Sequence, residues 1–216
     1  MITVSNAVDQ IIKKKSFLEE AINSGIINLS ALARQILPEV RKETFKEVRE
    51  GAVLMALKRR PKTLASKFQV DSVLEKNHDL ILRSNLLEFT ILNSSFSPEK
   101  HKKIIEAVEN QNRNFLTITQ GIFETTIIVS RELKDKVEAI LEREKIIYQP
   151  DHLSSITIRL PEKNVLTPGV YYTILKFLAW EGINVVEVVS TFSEFTIILE
   201  SQEISRAFSI LKNALS

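Results

Sequence analysis

The stretch "TPGVYYTILKFLAWEGINVVEVVS", Thr167 to Ser190, decides the fold. It reads as a turn, a helix, a second turn and a strand, with a glycine in each turn. Pro168 fixes φ near helical values and lacks the amide hydrogen that a helix start leaves unpaired. Gly169 lets the backbone come close to whatever sits at the helix's amino end. There the free N–H groups and the positive end of the dipole favour a carboxylate. Gly182 closes the helix by accepting the left-handed conformation, and Asn184 can hydrogen-bond across the turn into the strand. The alternation puts Val185 and Val189 on one strand face and Val186 and Val188 on the other. Apolar residues on both faces predict a strand covered on its far side or extended at its edge by another domain.

Working outward, the same order of elements runs twice. "SITIRL" places Ile156, Ile158 and Leu160 inward as a strand, and "EFTIILES" and "EISRAFSILKNAL" follow the quoted stretch as strand and helix. Upstream, "LLEFTIL" puts Leu87, Phe89 and Ile91 on one face with Glu88 and Thr90 opposite, the period of a half-buried strand. A helix begins at Ser97-Pro98, with His101, Ile104, Ile105 and Val108 on one face. "NFLTITQG" and "ETTIIVS" form a hairpin, "ELKDKVEAILERE" a helix bearing Leu133, Val137, Ile140 and Leu141, and "KIIYQP" a last strand. One ungapped offset of 70 aligns Thr126-Ile127-Ile128-Val129 with Thr196-Ile197-Ile198-Leu199 and Ile140-Leu141 with Ile210-Leu211. The back half is therefore a tandem βαββα repeat, each unit a ferredoxin-like sheet with two helices on one face.

A strand, a loop ending in Pro-Gly-Val, an amphipathic helix and "EGIN" entering a strand resemble the ACT domain, a regulatory module of amino-acid metabolism. The resemblance covers residues 154–215, and the tandem pair looks most like the paired ACT domains of aspartate kinases. The lysine-phenylalanine-double-glycine opening of that kinase is absent, and the ~75 residues before the repeats are too few to hold a catalytic domain. The resemblance implies an allosteric amino-acid-binding site between this loop and the "IN" strand of a paired domain. Carried over by position, Asn164, Val165, Leu166, Thr167, Pro168, Gly169 and Val170 line one side. Ile183, Asn184 and Val185 line the other. The loop has no carboxylate nearer than Glu162, which leaves an ammonium group to carbonyl oxygens and Asn164. The first repeat reads "NSSFSPEKHKK" at the Pro-Gly-Val position and serves as a packing partner. In the resembling family such pairs dimerise, so a homodimer through the sheets is expected.

The front half is helical. Asn6 to Ile22 carries apolar residues at helical spacing, with a break near Ser16, where Ser16 and Glu19 match a capping box. Ser24-Gly25 ends this stretch, Asn28 or Ser30 caps "ALARQIL", which should stop before Pro38, and a third helix spans roughly Thr44 to Arg60. That last helix should face inward with Val48, Ala52, Met55 and Ala56. The expected organisation is a helical domain at 1–75 and repeats at 80–150 and 151–216, an α+β protein.

Residues 1–74 hold 13 Lys and Arg against 8 Asp and Glu, whereas the remainder hold 16 against 19. A basic front joined to a slightly acidic back suggests modules with different partners. "LSALARQI" and "LASKFQV" each resemble the second helix of a helix-turn-helix, and Lys58, Arg59, Arg60, Lys62 and Lys67 supply phosphate-binding charge. The alternative reading is thus a ligand-responsive DNA-binding regulator. It lacks an evident recognition helix, since "DSVLEKNHDLIL" is as acidic as it is basic.

Other chemistry is sparse. With no cysteine there is no disulfide framework or thiolate site. His78, His101 and His152 have no metal-ligand spacing, and no Walker loop, GxSxG or HExxH occurs, so neither enzyme nor cofactor is expected. Trp180, Tyr171 and Tyr172 read as core and interface groups. The amino terminus lacks the order of a secretory signal, and no run approaches ~20 apolar residues, so a cytoplasmic protein away from membranes is expected.

Overall fold

The computed structural model describes residues 2–60, 73–74, 78–93, 98–109 and 114–215, the side chains of Ser16, Glu20 and Glu109 excepted. The chain forms two units, Met1–Gln69 and Val70–Ser216. Pro61, "LASKFQV" and Ser97 lie outside the described residues.

The first unit contains α1 (Val4–Lys14), α2 (Ser16–Asn23), α3 (Leu29–Thr44) and α4 (Glu50–Arg59). Thr3 Oγ1 caps α1, accepting from the Asn6 amide at 3.2 Å. Asn28 Oδ1 caps α3, accepting from Ser30 and Ala31 at 3.0 and 3.1 Å. A single core joins Ala7, Val8, Ile11 and Ile12 of α1 to Leu32, Ala33, Ile36 and Val40 of α3 and Val53, Ala56 and Leu57 of α4.

Two expectations are corrected here. The helix does not stop before Pro38 but runs to Thr44. Its last turns bury Val40 and Thr44, and this packing outweighs the roughly 3 kcal/mol that an interior proline costs. The third helix does not begin at Thr44, because Phe45 is left-handed (φ 53) and α4 starts only at Glu50. The frame shifts accordingly: Val53, Ala56 and Leu57 face the core, while Ala52 and Met55 face solvent.

The second unit is one antiparallel sheet with helices. Its strands are β1 (Leu80–Leu92), β2 (Leu116–Gln120), β3 (Glu124–Ser130), β4 (Ile146–Tyr148), β5 (Leu153–Arg159), β6 (Glu187–Ser190) and β7 (Glu194–Glu200). Its helices are α5 (Pro98–Glu109), α6 (Lys134–Ile140), α7 (Val170–Trp180) and α8 (Ile204–Ala214). The strand order is β2-β3-β1-β5-β7-β6, with β4 also on β1.

The offset of 70 survives in three dimensions. β3 and β7 occupy equivalent seven-residue spans, and each is followed by a 3-10 turn, Arg131–Leu133 and Ser201–Glu203. Each half has a cross-strand threonine pair, Thr90–Thr126 at 3.3 Å and Thr157–Thr196 at 2.8 Å. β1 serves both halves: Leu86–Leu92 pairs with β3, and Leu80–Arg83 and Leu86 pair with β5. The register shifts between Arg83 and Leu86, where Asn85 is left-handed at φ 62.

Each half packs its helices on one sheet face. Leu87, Phe89, Ile91, Ile127 and Val129 meet Ile104, Leu133 and Val137, and Ile156, Ile158, Phe195 and Ile197 meet Ile174, Leu178, Ala207 and Leu211. The opposite faces supply a third core, in which Ile128 and Leu86 of one half join Leu153 and Ile198 of the other. Half-buried Val186 and Val189 pack on this core, and Val185 and Val188 on the helix side. The expected pairing of Val185 with Val189 is thereby corrected, because the regular strand starts at Glu187 and the face switches just before it. The far-side cover that these valines called for comes from within the chain.

Gly182 ends α7 at φ 70. Its amide donates to Ala179 O at 3.1 Å and the next, Ile183 N, to Leu178 O at 3.0 Å, while the Ile183 and Leu178 side chains share the core. This is a Schellman closure. No atom lies within 4 Å of a Cβ placed there, so Gly182→Ala tests backbone strain alone. It should lower stability by about 1 kcal/mol, read as a reduced urea midpoint with unchanged slope.

Candidate functional site

The loop before α7 is held by its own polar groups. Residues Glu162–Leu166 form a 3-10 turn, and Asn164, buried within it, donates from Nδ2 to Pro161 O and Phe192 O, both at 3.1 Å. Thr167 Oγ1 donates to Lys163 O at 2.8 Å, and its amide donates to Asn164 O at 3.1 Å. The chain then enters α7 through Gly169 at φ 91. Pro168 therefore precedes the helix and is not its first residue. Unlike α1 and α3, α7 has no side chain accepting from its first amides; its first bonds are from Thr173 N and Oγ1 to Gly169 O, both at 2.9 Å.

The ten residues expected to line a site do not converge on one pocket. Val170 and Ile183 are core residues, and Val185 packs partly on the same core. Val165, Leu166 and Pro168 are exposed in the loop before α7, and Asn184 is exposed in the turn after it. Asn184 follows the carboxyl end of α7 and Gly169 its amino end, so the two groups sit at opposite ends of an eleven-residue helix roughly 16 Å long. One small ligand cannot touch both groups of a single α7.

Two features escape the sequence reading. Trp180 is 81% exposed, not a core group, and Lys176 Nζ lies 5.3 Å from its ring centre and 5.7 Å from that of Tyr172. The spacing 172, 176, 180 carries that ridge openly. Tyr171 stacks on Phe195 at 4.4 Å, fixing the first turn of α7 to the sheet. The second feature is Glu88, expected on the solvent side of its strand but only 3% exposed. Its Oε1 accepts from Thr90 Oγ1 at 2.9 Å, and Oε2 has no partner. Burial pushes its carboxyl pKa upward, the Thr90 hydroxyl opposes the shift, and the charge of Glu187 in the other half adds to it.

The basic cluster divides. Arg60 is not open to phosphate: its Nε lies 3.2 Å from Asp9 and its Nη2 3.3 Å from Glu19, with 8% of the side chain exposed. Lys58 and Arg59 are exposed, and Lys62 and Lys67 lie outside the described residues. Among the described residues no group of His, Asp and Glu could hold a metal, and no helix is long and apolar enough to cross a membrane.

No protein-family model matches the chain, and no curated protein matches its sequence. Solved structures do match. The allosteric aspartate kinase of Clostridium acetobutylicum superposes at a TM-score of 0.52 with 17% identity, over 63% of this chain and 34% of that one. The ligand-free regulatory subunit of Thermus thermophilus aspartate kinase gives 0.52 with 14% identity, over 65% of this chain and all of that one. The Synechocystis enzyme gives 0.51 with 15% identity, over 77% of this chain and 31% of that one. The α+β fold shared here is that of an aspartate kinase regulatory subunit. The chain spans about a third of the length of the complete kinases.

Proposed function

We propose that residues 80–216 are a tandem ACT pair acting as a non-catalytic regulatory module of amino-acid metabolism. Its effector is an amino acid whose α-carboxylate sits on the amino end of α7. The carrying observation is the left-handed Gly169 in front of a helix with no side-chain cap. That arrangement presents free amides and lets a ligand approach the backbone closely. Asn164 Oδ1, which makes no hydrogen bond among the described residues, and the loop carbonyls supply acceptors for the ammonium group. Because Asn184 lies at the other end of α7, the far wall of the site comes from a second copy, and the working form is a homodimer.

A thermal-shift screen against the twenty amino acids tests this reading. One or two of them should raise the midpoint saturably, with stabilisation reaching about 2.7 kcal/mol at a hundred times Kd. Gly169→Val and, independently, Asn184→Leu should each abolish the shift. Asn184 is exposed, so its loss of response reports on ligand and not on folding. No shift at millimolar concentration with an intact dimer sinks the effector reading.

A further inference from the structure

In the first unit, every acidic group whose side chain is described already has a cationic partner. Asp9 and Glu19 hold Arg60, Glu39 meets Lys15 at 3.0 Å, and Glu43 meets Lys14 at 3.7 Å. Glu47 meets Arg41 and Glu50 meets Arg34, both at 3.5 Å. Lys13, Lys42, Lys46, Arg49, Lys58 and Arg59 have no partner among the described residues. Residues 1–69 hold 13 basic against 7 acidic residues, so this unit has unneutralised positive charge on its surface.

Two of these cations, Lys58 and Arg59, belong to α4 and a third, Arg49, stands immediately before it, and their placement is informative. The outward face of α4 is Gly51, Ala52, Met55, Lys58 and Arg59, at i, i+1, i+4, i+7 and i+8, opposite the buried Val53, Ala56 and Leu57. Arg49 stands at the other end as the N-cap residue, with no capping bond. The macrodipole accounts for Lys58 and Arg59 in the last turn, but it opposes a cation at the amino end. A partner that is anionic along the whole length of the helix accounts for all three.

We infer that α4 is the recognition helix of a helix-turn-helix, and that this face enters the major groove of duplex DNA. α3, whose "LSALARQI" resembles a second helix in sequence, is on this reading the first helix of the motif instead; α1 packs on both α3 and α4, and the turn between α3 and α4 is Phe45–Arg49. The recognition helix thus precedes the acidic segment in which the sequence shows none. Small Gly51 and Ala52 let a helix 10–12 Å across approach the floor of a groove about 12 Å wide. Arg49 and the Lys58-Arg59 pair lie about 15 Å apart along a ten-residue helix, placed for phosphates on the two sides of the groove.

The test is fluorescence anisotropy of the full chain with a labelled mixed-sequence duplex across salt concentrations. The parent protein should bind, with log affinity falling linearly against log salt. The double variant Arg49→Gln/Arg59→Gln should bind about tenfold more weakly, with a slope shallower by about two. Lys136→Gln, an exposed cation on α6, should change neither. Ala52→Trp leaves the charge unchanged at an exposed position and should still weaken binding severalfold, because its bulk blocks groove entry. Circular dichroism of each variant confirms that the fold is retained. The inference is overturned by no binding at low salt, by an unchanged slope in the double variant, or by an Ala52→Trp protein that binds as its parent does. Equal binding of polyglutamate or single-stranded RNA overturns it as well, since either would mark a general anion surface.

Discussion

Near neutral pH the Glu88→Gln protein should unfold at a higher temperature than its parent, and in acid, below the ordinary glutamate range, at the same temperature. In the native protein the carboxyl is desolvated and has one unpartnered oxygen. Glu187 of the other half disfavours its charge further, and only the Thr90 hydroxyl supports it. Its native pKa is therefore above the value of about 4.3 that an unfolded chain gives it. The native state holds the proton more tightly, so the parent has its full stability below the unfolded pKa. Stability then declines by up to about 1.4 kcal/mol per pH unit until the raised native pKa is passed, and levels off. Glutamine keeps an acceptor for Thr90 and carries no charge, so its curve lacks that decline. The expected gain near neutrality is about 1–3 kcal/mol, the range for a buried polar group left unsatisfied. Urea midpoints of both proteins across the acid-to-neutral range check it, and parallel curves would mean that Glu88 is solvated.

Glu88 also marks where sequence reading reaches its limit. The period of two places it opposite Leu87, Phe89 and Ile91, and the structure agrees. That period says nothing about whether the opposite face meets water or another layer of protein. The answer depends on Ile128 and Ile198, seventy residues apart, lying in one core. Local chemistry was more legible. Gly182 reads as a helix-closing residue because left-handed backbone has few other occupants, and it is left-handed; Gly169, which reads in sequence only as a point of close backbone approach, is left-handed too. Of the two caps that the sequence offers for α3, Asn28 and Ser30, Asn28 is the one used. Pro38 misled because propensity is local, whereas the burial of Val40 and Thr44 that carries α3 past it is tertiary. The α7 loop residues can be named by position. Their side-chain directions cannot, and Val170 and Ile183, expected on the two sides of a binding site, both turn into the helix-side core.

Ile198→Ala should cost about 3 kcal/mol, and Ile128→Ala a similar amount, since both side chains are fully buried and little around them can collapse into the space. The more informative quantity is their coupling. Both residues point away from their own helices and into the core formed by the two halves together. The double variant should therefore depart from additivity by about 0.5–3 kcal/mol. Ile128→Ala combined with Ile174→Ala, which lies in the helix-side core of the second half, should be additive within about 0.5 kcal/mol. Zero coupling between Ile128 and Ile198 in urea unfolding would mean that the halves do not meet there. A measured coupling has a functional consequence. The effector proposed at α7 acts on one half, and a change there reaches the first half only through elements they share. β1 is one such element, because it pairs with β3 and β5 along the same strand. The Ile128–Ile198 core is the other, and a close-packed seam of this kind transmits a small displacement as a shift of the whole sheet. On this argument Ile198→Ala should weaken the link between ligand and the first half more than it weakens ligand binding itself.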